Sequence, residues 1–187
     1  NNFMEKYSIS ATQLDVDLSF TPYPVKDLDV FMNSETLELM KNPSKWIEEM
    51  ARWIRFIQVN SALKCPEIVR KASQLSLGLE LTDDKKILDL NHTWLGQSKS
   101  TDVLSFPIID ETFSGVSSEF IELGDIVISV PTALRQAEDN NNDLFRELRW
   151  LATHGLLHLL GWEHDDDDSL EKMLLIQEQL LDIRGIL

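Results

Sequence analysis

The sequence predicts an α+β fold, a small sheet of about four strands packed by helices around one buried helix. Three observations predict it. Short stretches alternate with the period of two of a half-buried strand, clearest at Leu75, Leu77, Leu79 and Leu81 against Ser76, Gly78 and Glu80. Longer stretches repeat apolar residues at helical spacing, as in Trp46, Ile47, Met50, Trp53, Ile54 and Ile57. After Trp150, residues 144–160 become apolar on nearly every side, the pattern of a central helix, although this helix carries His154 and His158.

In chain order, residues 9–20 read as a strand from Leu14, Val16 and Leu18 alternating with Asp15 and Asp17. Thr21-Pro-Tyr-Pro24 ends it, and residues 27–41 read as helical. Asn42-Pro43-Ser44 turns into a helix over 45–59, and Cys65-Pro66 opens a short helical piece over 67–72. Residues 73–82 form a strand, Asp83-Asp84 a turn, and 85–94 a helix. A polar loop over 96–101 leads to a strand at 102–109, where Pro107 implies an edge or a bulge. Residues 110–122 are polar and Ser-rich, a surface loop, followed by a buried strand over 123–130. Pro131 suits the first turn of a helix, and Asp139–Asp143 supplies capping chemistry for the helix at 144–160. Asp165–Asp168 and Ser169 open a last helix with Leu170, Leu174, Ile176, Leu180 and Leu181 on its apolar side. Residues 1–72 thus form a strand and helical extension packed on the same domain as a core at 73–187.

The 187 residues fit one domain able to bury a core. No apolar run approaches the ~20 residues of a membrane span, and no basic-then-apolar leader is present. Cys65 is the single cysteine, which excludes an internal disulfide and fits a reducing, cytoplasmic setting. The net charge of −15 argues against a broad basic surface that coats nucleic acid, while leaving room for a local groove.

His154, His158 and His164 are three of only four histidines. The first two stand one helical turn apart on one face. Gly161 can end the helix in a left-handed conformation and bring His164 round to face them. Two imidazoles on a helix and one beyond a glycine turn form a tripod that leaves an open position on a bound metal, the arrangement of a catalytic zinc site. Two histidines inside an apolar helix are costly unless their ring nitrogens are satisfied, which favours ligands over core residues. His92 has no such partner in sequence and reads as surface or pocket rim.

The spacing H-x3-H-x2-G-x2-H matches the ligand frame of metzincin proteases. Their general base, a glutamate after the first histidine, is here Gly155, which turns the protease reading away. THGLLHLLGWEHD, together with LNHTWLGQSKSTDVLSFP (residues 90–107) and LGDIVIS (residues 123–129), resembles the YbeY-type rRNA maturation factors. The resemblance implies an α+β fold with a mixed sheet and a metal cleft. It implies a metal-dependent, single-strand-specific endoribonuclease acting late in small-subunit rRNA 3′ end maturation and in ribosome quality control. The zinc ligands it implies are His154, His158 and His164, holding one Zn2+ ion. Single-stranded rRNA and the small ribosomal subunit with its assembly factors are the implied partners, without DNA or membrane. A zinc-bound water would supply the hydrolytic nucleophile; no residue stands out as general base.

The substrate cleft implied by the resemblance comprises Lys99, Thr101, Asp102, Ser105 and Phe106, with Asp102 also suited to capping a loop and Phe106 to packing. One position departs from the family: its arginine after the aromatic residue of LNxx[YW]RG is here Leu95, behind Trp94. Leucine offers no charge to a phosphate. Lys99 is the nearest cation, and a solvated loop lysine is an equally good reading of it. The alternative function is a ribosome-associated assembly factor with a largely structural metal and weak or no nuclease activity.

Overall fold

The computed structural model describes residues 14–28, 30–96, 101–109 and 120–183. The leucine alternation at 75–81 becomes strand β2 (Gln74–Thr82), with all four leucines buried. It lies at the centre of a four-stranded mixed sheet with β1 (Asp15–Thr21), β3 (Val103–Pro107) and β4 (Phe120–Ser129), in the order β1-β2-β4-β3. β1 and β4 flank β2 in parallel, and β3 runs antiparallel to β4 at the edge. Pro107, which has no N–H for a further ladder bond, therefore sits on an edge strand. The sheet is the mixed one that the resemblance implies.

Helices α1 (Ser34–Lys41), α2 (Pro43–Val59) and α3 (Glu67–Arg70) join β1 to β2. The helix expected over 27–41 is shorter, because the Asn33 side chain accepts the Thr36 N–H at 2.9 Å and starts α1 there. Helix α4 (Asp84–Leu95) is capped by Asp83 and packs Ile87 and Leu90 against Leu104, Phe106 and Val127 on one face of the sheet. The other face carries the main core, where Trp46, Met50, Trp53, Ile54 and Ile57 of α2 are fully buried. β4 begins at Phe120, earlier than expected, since Ile121 pairs with Leu75 of β2 and buries its side chain. Most of the predicted loop, 110–119, lies outside the described residues, as do 9–13 of the first predicted strand.

Helix α5 (Val130–Asp139) follows β4 directly, capped by the Ser129 hydroxyl with Pro131 in its first turn. Helix α6 (Leu144–Leu159) starts where Asp143 accepts the Arg146 N–H at 2.8 Å. It crosses the sheet with Leu148, Ala152, Leu156 and Leu157 fully buried, the central helix the sequence predicts. Helix α7 (Asp167–Asp182) packs beside it, opened by a reciprocal capping box between Asp166 and Ser169. Its inward face is Met173, Ile176, Gln177, Leu180 and Leu181. Leu170 and Leu174, expected inward, are 37% and 39% exposed, because the helix is rotated to bring Gln177 beneath α6. Among the described residues, no helix is long and apolar enough to cross a membrane.

Candidate metal centre

The centre is assembled at the C-terminal end of α6. Gly161 has φ +90°, a conformation that strains any residue with a Cβ. Its N–H donates to the His158 carbonyl and the Trp162 N–H donates to the Leu157 carbonyl, each at 3.0 Å. That pair of bonds is the Schellman arrangement, and it closes the helix while reversing the chain. His164 is thereby returned to the face of α6 that carries His154 and His158. The ring centroids stand 4.6, 5.4 and 5.1 Å apart, and one nitrogen from each ring lies within 4.8 Å of the others. His92 is exposed on α4 and does not join the group.

The partners of these rings determine where their protons sit. His158 Nδ1 faces the Trp162 carbonyl at 2.8 Å, which can only accept, so Nδ1 carries the hydrogen. His154 Nδ1 faces Gln177 Oε1 at 3.1 Å. The Gln177 amide nitrogen donates to the Trp150 carbonyl at 3.3 Å, which fixes the oxygen towards His154. Both neutral rings therefore direct bare Nε2 lone pairs at each other, 3.0 Å apart. Two acceptors at that distance repel unless a cation lies between them. Two nitrogens each ~2.1 Å from a tetrahedral zinc ion would be roughly 3.4 Å apart, close to the observed spacing. The donor set fits a metal ion, and the carbonyl and amide behind the rings are the outer partners that orient metal-binding histidines.

Burial, and after it the proximity of His154, pushes the His158 pKa down from 6.5 to about 4. Burial likewise lowers that of His154. Both rings are thus neutral and ready to coordinate at physiological pH. Because the folded pKa of His158 lies below its unfolded value, the unfolded chain binds more protons between these values, so stability rises with pH and is lost as pH falls. Metal-free protein is expected to lose stability from about pH 6.5 down to about 4, and His158→Gln should flatten that dependence. Urea midpoints at pH 7 and pH 5 for both proteins would measure it; equal pH dependence in both would contradict the assignment.

A cleft of about 490 Å³ opens beside the histidines, walled by β3 and by the end of α4. Thr101, Asp102 and Ser105 line it together with His154, His158 and His164. Asp102 has the capping role weighed from sequence, accepting the Val103 N–H at 2.8 Å, and it also accepts from the Gln136 amide at 3.2 Å. Ser105 donates to the Gly155 carbonyl at 3.0 Å, tying β3 to α6. Phe106 does not face this cleft. As the next residue on the strand it points to the opposite face, where it lines a separate cavity of about 540 Å³ with Trp94 and Leu90. Lys99 lies outside the described residues. Leu95 does line the metal cleft, with half its surface exposed. Glu163, which the sequence reading does not single out, also lines it.

Gly155 occupies a different environment from a metalloprotease base. A Cβ there would lie 2.7 Å from Ile126 Cγ2 and 3.2 Å from Ser105 Oγ, so the position is pressed onto the sheet. It is where helix and sheet touch.

The family model described as "Endoribonuclease YbeY" matches residues 34–185. The chain belongs to the YbeY endoribonuclease family. "Endoribonuclease YbeY" of Prochlorococcus marinus strain NATL2A is 83% identical over 98% of this chain and all of its own length. The YbeY protein of Prochlorococcus marinus strain MIT 9313 is 47% identical over 97% of both chains. A protein of Thermotoga maritima solved in solution shares the fold, with a TM-score of 0.51 at 20% identity, over 89% of this chain and 87% of its own. The matched span contains all three histidines of the group that could hold a metal ion.

Proposed function

We propose that this protein is a metal-dependent endoribonuclease, specific for single-stranded RNA, that acts in late small-subunit rRNA 3′ end maturation and ribosome quality control. One observation carries the metal dependence: two half-buried imidazoles of fixed tautomer aim bare nitrogens at one point, with a third ring beside them. The identity to curated endoribonucleases supports the RNA substrate. Zn2+, one ion, suits an all-imidazole donor set, and the cytoplasm suits a chain whose single cysteine allows no internal disulfide. The small ribosomal subunit with its assembly factors would present the RNA.

In this reading His154, His158 and His164 hold the ion, which when bound lowers the pKa of a coordinated water and polarises a phosphodiester oxygen. Gln177 and the Trp162 carbonyl keep both Nδ1 protons in place, so Nε2 stays the donor. Asp102 and Glu163 make the described cleft wall acidic, and they favour a substrate whose phosphate is drawn in by the metal rather than by the protein. Thr101 and Ser105 offer hydroxyls along the same wall.

Zinc-loaded protein is expected to cut single-stranded rRNA fragments and to stop when a chelator removes the ion. If metal-replete protein binds ribosomal subunits yet leaves RNA intact, the assembly-factor alternative holds. That alternative draws support from Leu95, an uncharged residue on the wall where the family has arginine. Leu95→Arg is expected to raise cleavage by about 10-fold or more, because a guanidinium there can hold the charge that develops on the phosphate. The exposed site accommodates it without repacking. An unchanged rate would mean that this lost cation does not limit catalysis.

A further inference from the structure

The loop between α2 and α3 has no residue in the metal cleft, yet a continuous run of hydrogen bonds links it to His158. Arg70 of α3 is the anchor. One end of its guanidinium donates to the carbonyls of Ile57, Gln58 and Asn60 at 3.0–3.1 Å, closing the C-terminus of α2. The other end donates to the Leu63 carbonyl at 2.6 Å, which fixes the loop itself. The next carbonyl, that of Lys64, accepts the Trp162 indole N–H at 2.8 Å. Trp162 in turn presents its backbone carbonyl to His158 Nδ1. Each guanidinium bond is to a main-chain oxygen, so the geometry is set by the fold and not by a mobile surface side chain.

We infer that Arg70 and Trp162 are positioning residues for the metal centre, through the Lys64 carbonyl and the Trp162–His158 hydrogen bond. The inference rests on the metal reading above. The Gly161 turn by itself fixes the start of the excursion to His164, through bonds of Gly161 and Trp162 to α6. The indole bond adds a second, distant attachment to the turn residue whose carbonyl orients His158. Outer partners of a metal-bound histidine typically govern 10–100-fold in affinity. This gives the N-terminal part of the chain a function in the site that its absence from the cleft conceals.

The test is Trp162→Phe, which keeps an aromatic ring against the core and removes the indole N–H together with the five-membered ring that carries it. The full-length protein is titrated with Zn2+ against a chromophoric chelator and with Co2+ by its visible absorption. The expected result is about 10-fold weaker Zn2+ binding and an altered Co2+ spectrum, with the melting temperature of metal-free protein nearly unchanged. Arg70→Lys, which cannot reach all four carbonyls with one ammonium, should move the same two readouts in the same direction. It also replaces the first variant should that one not fold. Wild-type affinity and spectrum in a folded variant overturn the relay alone, whereas a wild-type protein that binds neither ion overturns the metal reading with it.

Discussion

His158→Ala is expected to abolish metal retention and RNA cleavage together while the metal-free fold persists. His158 is held at both ring nitrogens, its Nδ1 on the Trp162 carbonyl and its Nε2 3.0 Å from that of His154. Removing it leaves two ligands, one on the helix and one beyond the turn. Loss of an outer partner alone costs about 10–100-fold in metal affinity, so loss of a ligand should exceed about 100-fold. The stability change runs differently. Alanine gains roughly 0.5 kcal/mol in helix propensity, and the lost hydrogen bond costs about 1 kcal/mol. The variant also removes the facing lone pairs at the centre. Those contributions nearly cancel, so the metal-free melting temperature should move by only a few degrees. Metal content, cleavage rate and thermal unfolding on one preparation separate the two effects. A variant that keeps a full equivalent of metal and cuts RNA normally would sink the assignment of the site.

Much of this site was legible because it is local. His154, His158, Gly161 and His164 lie within eleven consecutive residues, and helix geometry plus one left-handed glycine suffices to bring the rings together. The strands were legible where one face is buried and the other solvated, as in β2. What stayed hidden depends on tertiary contact. The sheet order β1-β2-β4-β3 follows from which strands pair, which no single stretch encodes. Gln177 comes from α7, and the carbonyls of Trp162 and Lys64 are backbone groups with no sequence signature. A glutamine among Met173, Ile176 and Leu180 was nonetheless a detectable signal, since a buried amide requires a polar partner. Phe106 stands apart from the histidines for a simpler reason. Once Ser105 faces α6, strand parity sends its neighbour to the opposite side. The N-terminal boundary of α1 was missed because Asn33, a side-chain cap, outweighed the weak helical preference before it.

Gly155→Glu is expected to prevent stable folding, where a metzincin-like reading would make it a gain of protease chemistry. The argument starts from the smaller change. In Gly155→Ala the added methyl would lie 2.7 Å from Ile126 Cγ2, and Ile126 is a fully buried, β-branched side chain with little freedom to move. Overpacking of this kind costs about 1–3 kcal/mol, against roughly 1 kcal/mol gained when alanine replaces glycine in a helix. A net loss of up to about 2 kcal/mol corresponds to a fall of up to roughly 8 °C in melting temperature for a chain of this size. Glutamate adds four more heavy atoms, three of them a carboxylate, at the same contact. It would have to push α6 off the sheet, breaking the Ser105 bond to the Gly155 carbonyl, or bury an unpaired charge. Either course costs several kcal/mol, a large share of the ~5–15 kcal/mol that holds a domain together. Circular dichroism and thermal unfolding of both variants would order them, with glutamate far below alanine and alanine below wild type. A folded Gly155→Glu protein with an unchanged melting temperature would show that α6 can stand away from the sheet. The glycine would then have no packing role, and the contact with Ile126 and Ser105 would not be what places the histidines.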